Sequence, residues 1–175
     1  MTPFDTAIAA YFAQRDWAVE HVDPDDPDGE VPEAGSVSVT SVKGVNGVWP
    51  LVVGLVGDHP PYLIVQSIVP PIATAGDEVG VLELLARLND GLVAGCWELN
   101  FDDGTIRLRS SVPVGSLAGV DHQVLVNLVD DVVTANVVAA DRFIPALEAI
   151  IDHRVAPAIA VAAVDAGLDP TTFGA

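Results

Sequence analysis

The chain has 175 residues and a formal net charge of −18, with 25 acidic residues against 7 basic ones, and half of its residues are apolar. That length suits one domain with room for a core, and the apolar half excludes a disordered chain despite the charge. The acidic balance repels phosphate backbones and argues against nucleic-acid binding, and the single cysteine, Cys96, excludes an internal disulfide.

No uninterrupted apolar run approaches the roughly 20 residues that a membrane helix needs. The start, Met-Thr-Pro-Phe-Asp, has no basic segment followed by an apolar one, so no signal peptide is expected. The expectation is a soluble cytoplasmic protein.

Thr2-Pro3 opens a helix: Thr caps, Pro occupies the first turn and Asp5 faces the positive helix end. Phe4, Ile8, Tyr11 and Phe12 continue at helical spacing, which predicts an amphipathic helix over 3–16. Residues 23–33, Asp-Pro-Asp-Asp-Pro-Asp-Gly-Glu-Val-Pro-Glu, read as a solvated acidic loop. Prolines interrupt the acids, so the loop does not match an EF-hand.

Residues 36–45, 48–56 and 62–69 read as a three-strand meander. Asn46-Gly47 turns the first pair, and Gly-Asp-His-Pro-Pro separates the second. The middle strand is apolar on both faces: Trp49, Leu51, Val53 and Leu55 on one, Val48, Val52 and Val56 on the other. Helices can cover one face, and the second asks for a further layer, a second subunit or a partner. Pro50 cannot donate to a ladder and predicts a bulge or a locally open edge.

A helix over 77–89 follows, with Val79, Leu82, Leu85 and Leu88 as its stripe and Gly91 as its stop. Residues 95–113 form the clearest hairpin, around Asp103-Gly104. A two-residue turn there pairs Phe101 with Ile106, Asn100 with Arg107, Leu99 with Leu108 and Glu98 with Arg109. Trp97, Leu99, Phe101, Ile106, Leu108 and Val112 then form a core face, and Glu98, Asn100, Asp102, Arg107 and Arg109 a wet one. Asp121 caps a long helix bearing Leu125, Leu128, Val132 and Val133. Pro145 either kinks that helix or starts another with Leu147, Ile150 and Ile151. Residues 155–166 are Ala-rich and helical, and the end, from Asp169, is expected to fray.

The chemistry-bearing residues do not converge. All four histidines, His21, His59, His122 and His153, follow an acid, but neighbours in sequence point apart on a strand or helix. No zinc-type spacing, nucleophile elbow, phosphate loop or dinucleotide fingerprint occurs. Cys96 lies at a strand start and reads as a buried structural thiol rather than a nucleophile. Glu98 and Asp102 share a face, but the opposing Arg109 and Thr105 make that a surface charge ladder rather than a catalytic pair.

The order of helix, three-strand meander, helix, hairpin and long helix resembles the YbjN-like family of bacterial putative sensory transduction regulators, with the wider type III secretion chaperone-like architecture. Three segments carry the resemblance: Leu84-Leu85-Ala86-Arg87-Leu88-Asn89; Trp97-Glu98-Leu99-Asn100-Phe101-Asp102 with Gly104, Ile106 and Arg107-Leu108-Arg109; and Phe143-Ile144-Pro145-Ala146-Leu147. It covers residues 1 to about 151. The acidic loop and the Ala-rich end depart from it. The resemblance implies an α+β domain, often paired, with no catalytic residues to transfer, and relatives that bind extended client segments on apolar patches.

The expectation is thus one α+β domain over 1–153, with an antiparallel sheet of about five strands, helices on one face, and a C-terminal extension over 154–175. The leading functional expectation is a non-enzymatic regulatory or chaperone-like protein-binding module that forms a homodimer, without cofactor or metal. Trp49, Leu51, Val53 and Tyr62 are its candidate interaction surface. The alternatives are a sensor holding a small ligand between sheet and helices, and, further behind, a small hydrolase or metal-dependent enzyme.

Overall fold

The computed structural model describes residues 2–22, 37–57, 61–74, 76–117 and 119–174. The acidic loop expected over 23–33 lies outside the described residues. The elements run α1 (Pro3–Gln14), β1 (Glu20–Val22), β2 (Val37–Lys43), β3 (Val48–Val56), β4 (Tyr62–Val69), α2 (Glu78–Asp90), β5 (Cys96–Leu99), β6 (Ile106–Pro113), α3 (His122–Ile151) and α4 (Pro157–Asp165). All neighbouring strands pair antiparallel, in the order β1-β2-β3-β4-β6-β5. The fold is therefore α+β, and its sheet has six strands rather than five. The additional strand, β1, is a Glu-His-Val segment of three residues, too short to show an alternation.

α1 begins where the sequence placed it. The Asp5 amide donates to the Thr2 hydroxyl at 3.2 Å and the Thr2 amide donates to the Asp5 carboxylate at 2.6 Å, a reciprocal cap on the first turn. Phe4, Ile8, Tyr11 and Phe12 are buried. Arg15 stacks over the Tyr11 ring and pairs with Asp130, which ties α1 to α3.

The hairpin keeps the expected faces but not the expected register. Leu99 pairs with Ile106, Glu98 with Arg107 and Trp97 with Leu108, a shift of two residues. Even slips preserve faces, so Trp97 and Leu108 still point into the core. The loop is longer than a type I′ turn. Asn100 donates to the Thr105 carbonyl at 2.9 Å, Gly104 donates back to the Asn100 carbonyl at 2.8 Å, and Gly104 alone takes a left-handed φ of 74°. Asp103 instead accepts from the Thr105 amide. Phe101 therefore lies in the loop, 64% exposed, and does not join the core face.

Three further expectations change. In α2 the buried stripe is Val81, Leu84, Leu85 and Leu88, while Val79 and Leu82 are exposed. Two overlapping stripes share Leu85 and Leu88, and packing against α3 and α4 selects one of them. The β2–β3 turn places Val45-Asn46 at its tip, with the Gly44 amide donating to the Gly47 carbonyl. Residues Pro170–Phe173, expected to fray, form a 3-10 turn capped by Asp169, with Pro170 buried.

α3 runs through Pro145 without a second start. Proline has no N–H for the carbonyl four residues back, that of Asp141. The Asn46 side-chain amide supplies the missing bond at 2.9 Å, and the Asp141 carboxylate accepts the Val45 and Asn46 amides. The β2–β3 turn is thereby docked on the helix. A Cβ at Gly44 would collide with that carboxylate, so glycine is required for the approach. By length and composition α3 is apolar enough to cross a membrane. Here its stripe of Leu125, Val129, Val133, Ala140, Ile144 and Leu147 is buried against the sheet and α1.

One buried position in that stripe is polar. The Asn136 amide donates to the Leu108 carbonyl and the Ser110 hydroxyl, each at 3.0 Å, and its carbonyl accepts from the Ser67 hydroxyl at 2.7 Å. This satisfied network fixes α3 over β4 and β6.

Candidate interaction surface

The sheet registers sort every strand residue onto one of two faces. The face beneath the helices carries Trp49, Leu51 and Val53 of β3, all but inaccessible, together with Leu63 and Val65 of β4 and Leu108 of β6. Trp49, Leu51 and Val53 were expected to form an interaction surface, and this placement rules that out. Strand alternation puts them opposite the exposed set, and the helices cover them. Tyr62, 42% exposed and paired with Val56, is the one expected surface residue that stands on the uncovered side.

The uncovered face presents Val39 of β2, Val48, Pro50, Val52 and Val56 of β3, and Tyr62, Ile64 and Ile68 of β4. Among the described residues no helix lies on it. Pro50 opens an edge as expected: the β3–β4 ladder begins only at Leu51 and Ser67, while Pro50 still stands in register with Ser41 of β2. A groove of about 460 Å³ runs along this corner, lined by Val19, Glu20, Val39, Ser41 and Pro50.

Charge on this face departs from the rest of the chain. Lys43, Arg107 and Arg109 project from it against two acids, Glu20 and Glu98, so bases outnumber acids on one face of a strongly acidic chain. Glu98 lies between both arginines, accepting from Arg107 Nε and Arg109 Nε at 2.8 Å each. Burial pushes the Glu98 carboxyl up, but the bonds and charges of Arg109 and Arg107 outweigh it and hold the pKa below the usual value. Arg107 uses Nε alone within the described residues, so its terminal nitrogens remain free to donate outward.

Both sheet edges are partly blocked. The Asn89 side chain accepts from the Trp97 amide at 2.7 Å and donates to the Trp97 carbonyl at 3.1 Å. It thus occupies the outer edge of β5 as another strand would. At the opposite edge β1 is only three residues long. Both devices discourage strand addition and leave the face as the available surface.

The remaining chemistry-bearing groups do not assemble. Among the described residues no group of three or more His, Cys, Asp or Glu is placed to hold a metal. His21 approaches the Ser38 hydroxyl, and Glu98 is committed to its arginines while Asp102 sits in the turn. Cys96, expected to be buried, is instead exposed at the edge of the uncovered face, paired with Arg109, because strand alternation turns it away from the side that buries Trp97. Two buried indole N–H groups, those of Trp49 and Trp97, lack an acceptor, but they stand three strands apart and share no ligand space. A second cleft of about 510 Å³ between α3, α4 and the C-terminal turn is lined by Arg142, Glu148 and Asp169. Its Arg142 is paired with Asp165, and Asp169 accepts from Thr171.

Sequence reasoning identified the two-faced strand but assigned the wrong face to the surface. It missed Glu20 because β1 is too short to read, and Asn89 because an asparagine at a helix end reads as a cap. Comparison with protein-family models, with curated proteins and with solved structures finds no match.

Proposed function

We propose that this protein is a non-enzymatic binding module, regulatory or chaperone-like, whose working surface is the uncovered face of its sheet. The carrying observation is that face: a band of Val, Ile, Pro and Tyr side chains across β2, β3 and β4, bordered by charge and with both sheet edges partly blocked. Apolar surface bordered in this way is the usual form of a protein-docking patch. The YbjN-like resemblance, which no family-model match carries, contributes only an element order.

The competing ligand-sensor reading asks for room between sheet and helices. That space is occupied by Trp49, Leu51, Leu63, Leu84, Ile106, Leu125, Ile144 and Leu147, all fully buried.

The test compares the native protein with a Val52→Glu/Ile64→Glu variant, using light scattering and an apolar-surface dye at micromolar concentration. The native protein is expected to self-associate or bind dye. The variant is expected to lose both while keeping its helical circular dichroism. A native protein that stays monomeric and binds no dye overturns the proposal.

A further inference from the structure

We draw no further inference here: the strongest candidate, the uncovered sheet face that carries Val39, Val52 and Ile64 across β2, β3 and β4, supports nothing beyond the reading above, because nothing in the structure shows what covers it.

Discussion

Leu51 and Val52 are consecutive residues of one strand, both aliphatic, and they have opposite surroundings. Leu51 is fully buried beneath the helices, among Trp49, Val53 and Val65. Val52 stands between Val39 and Gln66 on a face that no helix covers among the described residues. The same contrast extends across the sheet. The covered face is closed by close packing and locked by Asn136. The uncovered face is apolar in its middle and carries charge towards its ends. Hydrophobicity alone does not separate the two, because both sides of β3 carry valine. The difference arises because the helices carry stripes for only one sheet face.

The largest expected effect lies on the covered side. Leu51→Ala should cost about 2–5 kcal/mol of folding stability through lost burial and the cavity it leaves. Val52→Ala should cost less than about 1 kcal/mol in the dilute monomer. Denaturant unfolding of the pair at low concentration measures this gap, and equal losses would break the comparison.

Asn136→Leu comes next. It leaves the Ser67 and Ser110 hydroxyls and the Leu108 carbonyl without their partner, at a cost of about 1–3 kcal/mol. Adding Ser67→Ala and Ser110→Ala should recover much of that, because an apolar replacement of both partners leaves fewer buried polar groups unpaired. No recovery in the triple variant would show that the network does not act as a unit.

The third effect is acid sensitivity. The Asp77 carboxylate is held below its usual pKa, first by the Thr74 hydroxyl and amide, with Arg154 adding to them against the opposing effect of burial. Glu98 is also depressed, as its arginines outweigh burial. A depressed folded-state pKa means that the unfolded chain takes up the proton first. The stabilisation is therefore present above the unfolded carboxylate values, about 4, and is lost as pH falls through the folded ones. Glu148 runs the other way: burial, then Asp152, raise it, so its contribution improves as pH falls. Thermal unfolding followed from pH 7 downwards should show a falling Tm on the acid side, and Asp77→Asn should flatten that fall. An unchanged slope in Asp77→Asn would remove Asp77 from the account.

Much of the scaffold was legible because its signals are local. The Thr2-Pro3-Asp5 cap, the alternation in β3 and β4, and the aromatic stripe of α1 each depend on residues a few positions apart. What was not legible depends on distant partners. Asp103-Gly104 reads as a two-residue turn, yet the Asn100 carbonyl takes the Gly104 amide and lengthens the loop. Pro145 reads as a break, yet Asn46, almost a hundred positions away, satisfies the freed carbonyl. The interaction surface failed for the same reason. β3 is apolar on both faces, but which of them the helices take is decided by elements far away in the sequence.

The most direct measurement of the contrast between the faces is thiol labelling in a Cys96→Ser background, with cysteine placed singly at Leu51 or at Val52. Leu51→Cys should label only as fast as the protein unfolds, at every protein concentration. Val52→Cys should label rapidly when the protein is dilute and become protected as concentration rises and the face is occupied. Rapid labelling at Val52 at all concentrations, or equal labelling at both positions, would contradict the account.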